Sequence, residues 1–118
     1  MKISQNFKRS EFECACGCGF ATVDIELVGL LERVRSHFKG KPITINSACR
    51  CEDHNNAVGG HKKSKHMQGI AADIVVKGIP SAAVYQYIDY IAPDRYGLGI
   101  YESFTHVDVQ PTRKRWPG

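Results

Sequence analysis

The sequence predicts an α+β fold: a small antiparallel sheet with flanking helices, in a single domain spanning residues 1–118. Three observations carry this reading. Residues 22–38 and 81–92 place apolar side chains at helical spacing. The run Ala71 to Val76 is nearly continuous in apolar residues, as in a strand covered on both faces. Residues 98–101 and 105–109 read as strands joined by a short turn at Glu102–Ser103, which makes them an antiparallel pair.

Taken in order, Phe7, Phe12 and the Ser10-x-x-Glu13 pattern predict a short helical turn ahead of a cysteine-rich loop containing Gly17 and Gly19. Thr22 serves as N-cap of the first helix, and Asp24 and Glu26 put negative charge in its first turn. Leu27, Leu30, Leu31, Val34 and Phe38 form its core face, and Gly40 stops it. Pro42 leads into a strand at Ile43–Asn46, followed by a turn over residues 47–51. Residues 52–63 are polar and read as loop, with Gly59 and Gly60 free to take positive φ. Ala71 to Val76 is the central strand. Ser81 caps the second helix, whose Val84, Ile88 and Ile91 face the core and which Pro93 ends.

With 118 residues, 42% hydrophobic and 24% charged, the chain suits one globular core. The segment Met1–Arg9 lacks the apolar centre of a signal peptide, and no apolar run approaches a membrane span. The expectation is a monomer made in the cytoplasm, not inserted in membrane, and exported or released by a separate route. The net charge of +4, with a basic tail at Arg113, Lys114 and Arg115, reads as a solvated surface. Nothing in it interleaves aromatics and arginines as single-strand binders do, so no nucleic-acid partner is expected.

The five cysteines, Cys14, Cys16, Cys18, Cys49 and Cys51, cannot all pair internally. Cys-x-Cys spacing differs from the common Cys-x-x-Cys zinc knuckle. Two readings stay open: a second, structural metal on two or three thiols, or free thiols with adventitious disulfides, the latter preferred.

The chemistry concentrates in Ser64-Lys65-His66-Met67-Gln68-Gly69-Ile70-Ala71-Ala72-Asp73. A turn at Gly69 would bring His66, in a loop, and Asp73, on the following strand, to one metal ion. Residues 104–109 place His106 and Asp108 on one strand face. His66, Asp73 and His106 would then form a three-ligand site with an open position for water, as catalytic zinc requires.

The ordered pattern Ser-x-His-x-x-Gly-x-Ala-x-Asp followed by His-Val-Asp resembles the zinc D-Ala-D-Ala carboxypeptidase and L-Ala-D-Glu endopeptidase family of peptidoglycan hydrolases. The likeness extends over Asn46–Cys51, Asn55–Gly60, Gly97–Tyr101 and Arg115–Trp116. It implies the Hedgehog/DD-peptidase fold, one catalytic Zn2+, and the peptidoglycan stem peptide as substrate. Short single-domain members of phage-endolysin type are the most similar, which favours L-alanyl-D-glutamate endopeptidase activity over cleavage at D-alanyl bonds.

By the same resemblance Arg50 stands where a substrate-binding arginine stands, and an arginine fork suits a carboxylate. Many relatives carry an acidic general base three residues before the last histidine; here that position is Ser103. Asp108, on the face of His106, is placed slightly ahead of Glu102 for that role, with orientation of a ligand as its alternative. His61 is a further substrate contact, and Ser64 and Gln68 shape the metal loop. The lack of a carboxylate at 103 keeps a second class open, a non-catalytic zinc-stabilised wall-binding or phage tail module.

Overall fold

The structure is a computed structural model and describes residues 2–14, 16–18, 23–60 and 65–117. A 310 turn, Arg9–Phe12, precedes α1 (Ile25–His37), β1 (Ile43–Ser47), α2 (Glu52–Ala57), a second 310 turn (Lys65–Gln68) and β2 (Ala71–Val76). Then follow α3 (Ser81–Ile91), β3 (Gly97–Ile100), β4 (Thr105–Asp108) and β5 (Lys114–Pro117). The five strands form one sheet in the order β1-β2-β4-β3-β5. The α+β class holds, with two refinements. The middle strand is β4, and β5 pairs parallel to β3, so the sheet is mixed.

Alternation along the strands divides the sheet into an apolar and a polar face. Ile74 and Val76 on β2, Val107 on β4 and Leu98 on β3 are buried in one core with Leu27, Leu31 and Val34 of α1 and Val84 and Ile88 of α3. His37 stacks on Tyr87 at 3.7 Å between ring centres, tying the two helices at their edge. Between Ile45 and Ser47 the β1–β2 register shifts, a bulge that sets Ser47 opposite Asp73. Ala48, directly after β1, presents its carbonyl to the His66 ring.

Some expected boundaries move. The first helix begins at Ile25, with Asp24 as its N-cap accepting from the Glu26 amide at 2.8 Å; Thr22 lies outside the described residues. The first 310 turn is closed by Glu11, which accepts from the Lys8 amide at 2.6 Å, in place of Glu13. Pro80 is the N-cap of α3, and the Ser81 hydroxyl donates instead to the Tyr101 carbonyl at 2.6 Å.

Two elements lie where loop or tail was expected. Helix α2 has the polar sequence EDHNNA and no apolar stripe to betray it. Strand β5 falls within the basic tail. Arg115 is not a solvated charge: its guanidinium donates to Asp89 and to the carbonyls of Ala92, Arg95 and Tyr96, clamping β5 to the end of α3.

Candidate metal centre

Asp73 on β2 lies directly opposite His106 on β4, and Ala71 opposite Asp108. Alternation therefore sends Asp73, His106 and Asp108 to the polar face. His66 reaches them from the 310 turn, which Gly69 closes at φ +73° with its amide on the His66 carbonyl at 3.3 Å. A side chain at Gly69 would be strained in that left-handed conformation.

Each histidine is oriented through the ring nitrogen it does not offer to Asp73. His66 Nδ1 lies 2.5 Å from the Ala48 carbonyl, which can only accept, so the proton sits on Nδ1. Its Nε2 is left facing Asp73 Oδ1 at 3.4 Å. His106 presents Nδ1 to the same Asp73 oxygen at 2.9 Å and Nε2 to Asp108 Oδ2 at 3.0 Å.

One ligand atom from each of His66, Asp73 and His106 lies within 4.8 Å of the other two. Zinc–nitrogen bonds of about 2.0–2.1 Å in a tetrahedron require ligand edges of about 3.3 Å. The separations of 3.4 and 2.9 Å to Asp73 need only small adjustments to meet that.

Burial opposes ionisation of Asp73, but the hydrogen bond from His106 and the neighbouring imidazoles outweigh it and bring its pKa down to about 2. Burial disfavours the His106 cation, yet its bonds to Asp108 and Asp73 and their negative charge raise its pKa above the ordinary value. Below that raised pKa the metal-free ring carries a second proton that a cation must displace. Zinc affinity is therefore expected to fall as pH drops, the decline starting above pH 6.5, the usual imidazole value. Below the raised pKa each pH unit should cost about tenfold in apparent affinity for this one proton. Competition titrations against a chelator across this range check it; an affinity flat down to pH 6 would contradict it.

Asp108 is 1% exposed and both of its oxygens are engaged. Oδ2 meets His106, while Oδ1 accepts from the Gly97 and Gln110 amides at 3.1 and 3.2 Å. Burial works against its charge, but the bond from His106, that ring's charge and the Gln110 contacts prevail and lower its pKa. Two glycines make room on this face. A Cβ on Gly97 would run into the Asp108 carboxylate, and one on Gly99 would come within 2.5 Å of the Trp116 ring. That indole stands 5.1 Å from the His106 ring, centre to centre, and its N–H donates to the Tyr101 hydroxyl at 3.1 Å.

Arg50 is brought beside the centre. Its amide donates to the His66 carbonyl at 3.1 Å and its Nη1 to Asn55 Oδ1 at 3.0 Å. Asn55, fully buried on α2, was not singled out by sequence reasoning. Its sequence signal is its place at the head of the Asn55–Gly60 likeness, and Gly60 makes room for it: a Cβ there would strike both the Asn55 amide and the Arg50 guanidinium. Gln68 ends the 310 turn, exposed. Glu102 is exposed in the β3–β4 turn and lines a cavity with Ile79, Ser81 and Val84, on the helix side of the sheet. His61 and Ser64 lie outside the described residues.

Two histidines and one carboxylate, each imidazole fixed through its second nitrogen, could hold zinc, and this is a donor set that zinc hydrolases use. A family model described as Peptidase M15 matches residues 5–108, and the chain belongs to that family of zinc metallopeptidases. Comparison with curated proteins gives no match.

Proposed function

We propose that the protein hydrolyses the stem peptide of peptidoglycan, as an endopeptidase cutting the L-alanyl-D-glutamate bond. Membership of the Peptidase M15 family supports the peptidase class, and the sequence resemblance to short endolysin-like members supports the bond. The observation that carries the reading is the convergence of His66, Asp73 and His106, with both rings pre-oriented. These three residues would hold zinc, which when bound supplies a Lewis acid and an activated water near neutral pH.

The surrounding residues take distinct roles. His66 and His106 are kept in the required tautomers by the Ala48 carbonyl and the Asp108 carboxylate. Arg50, steadied by Asn55, offers its remaining guanidinium donors to a substrate carboxylate. Asp108, enclosed and bonded through both oxygens, is a positioning residue for His106. Glu102 opens towards α3, on the side of the sheet away from the three ligands. Among the described residues no helix is long and apolar enough to cross a membrane.

Asp108→Asn tests the positioning role. The amide can turn its NH2 towards His106 Nε2 and favour the wrong tautomer, so zinc affinity should fall about 10–100-fold. Excess zinc should restore most of the turnover. A turnover loss that persists at full zinc occupancy would make Asp108 the proton carrier instead.

The bond itself is tested by digesting defined muropeptides and sequencing the products by mass spectrometry, with and without chelator. Products carrying a new amino-terminal D-glutamate or D-isoglutamine are expected. Release of D-alanine instead would assign the protein to D-alanyl cleavage.

A further inference from the structure

A second group of metal-binding side chains lies outside the hydrolytic centre. Cys14, Cys16 and Cys18 of the N-terminal loop meet Cys51, which follows β1, and one sulfur from each lies within 4.8 Å of the other three. Cys14 Sγ is 3.4 Å from Cys16 Sγ and 3.7 Å from Cys51 Sγ, and the latter two are 3.6 Å apart. All four are free thiols, with separations far beyond the roughly 2.0 Å of a disulfide. They approach the geometry of a thiolate shell: zinc–sulfur bonds of about 2.3 Å in a tetrahedron give sulfur–sulfur edges of about 3.8 Å.

The backbone around the sulfurs suits anionic thiolates. The Cys51 amide points at Cys14 Sγ and the His54 amide at Cys51 Sγ, both at 3.4 Å. Gly17, at φ +83°, lets its amide close a turn on the Cys14 carbonyl at 3.2 Å. This tight reversal allows three cysteines at alternate positions to face one point, which extended Cys-x-Cys-x-Cys spacing would not. Cys49, buried two residues before Cys51, is outside the group.

We propose that Cys14, Cys16, Cys18 and Cys51 bind a second zinc ion, a structural one with a closed four-sulfur shell. Binding expels the thiol protons and ties the N-terminal segment to the turn after β1. That turn carries the Ala48 carbonyl and the Arg50 amide, two of the backbone groups that hold His66. The cysteine site therefore braces the hydrolytic centre from behind without contributing to the reaction.

The test uses the full chain, purified under reducing conditions with zinc and then freed of excess metal. Elemental analysis should find two zinc ions per chain, one in His66→Ala and one in a Cys16→Ser/Cys51→Ser double variant. Replacement by cobalt(II) should give a thiolate-to-cobalt charge-transfer band in the native chain and in His66→Ala, absent from the cysteine variant. Should the cysteine variant fail to fold, the His66→Ala spectrum decides alone, since its only metal would be thiolate-bound. One metal ion in the native chain and none in His66→Ala, or cobalt bound with no charge-transfer band, would overturn the proposal. Because His66→Ala silences the hydrolytic centre, these outcomes are independent of the peptidase reading.

Discussion

Replacing His66 by alanine is expected to remove the metal from the hydrolytic centre and reduce peptide hydrolysis to background. The side chain is 3% exposed and would supply one of the three ligands of the candidate centre. Its loss leaves Asp73 and His106, and two protein ligands do not make a strong zinc site. It also leaves the Ala48 carbonyl without the N–H that met it, at a typical cost of about 1–3 kcal/mol for a buried group. Stability should therefore drop moderately while activity disappears. Zinc analysis, circular dichroism and muropeptide turnover on one preparation would separate the two effects. A folded variant that keeps hydrolysing at the native rate would remove His66 from the centre.

The largest effect on stability is expected from Phe12→Ala. Phe12 is fully buried, meets Phe7 edge-to-face at 6.1 Å, and accepts the Cys49 amide through its carbonyl at 3.1 Å. Large-to-small substitution of a buried phenylalanine costs about 3–5 kcal/mol, against a total for a domain of about 5–15 kcal/mol. The N-terminal segment is further held by Glu32, which accepts from the Ser4 hydroxyl and from the Asn6 amide and side chain. Phe12→Ala should thus lower the urea midpoint sharply at constant zinc. A loss under about 1 kcal/mol would mean that this segment is not part of the core.

The elements that bury a regular apolar pattern were legible in the sequence. Leu27, Leu31 and Val34 on α1, Val84 and Ile88 on α3, and the β2 run all reach the core that their periodicity implies. Helix α2 escapes because its fold-specifying contacts are polar: Cys51 caps it, and Asn55 turns inward to Arg50. Strand β5 escapes because its pairing partner, β3, lies seventeen residues back in every pair, Gly97 with Lys114 to Ile100 with Pro117, and its first two side chains are charged.

In the site, the spacing around Gly69 and the alternation along β4 brought His66, Asp73 and His106 together as expected. Alternation also put Asp108 on the face of His106, but a shared face does not distinguish a carboxylate open to water from one already filled. That distinction depends on the Gly97 and Gln110 amides, contacts across strands and around the end of β4. The cysteines show the same limit. Their joining depends on a turn at Gly17 and on a contact between Cys14 and Cys51, 37 residues apart.

The most direct test of the metal centre is anomalous diffraction at the zinc edge, on crystals grown with zinc above the raised His106 pKa. The expected result is an anomalous peak bonded to His66 Nε2, to a carboxylate oxygen of Asp73 and to His106 Nδ1, with His106 Nε2 still on Asp108. A zinc-replete crystal with no peak between these residues, or with His106 bound through Nε2 and Asp108 displaced, would contradict it.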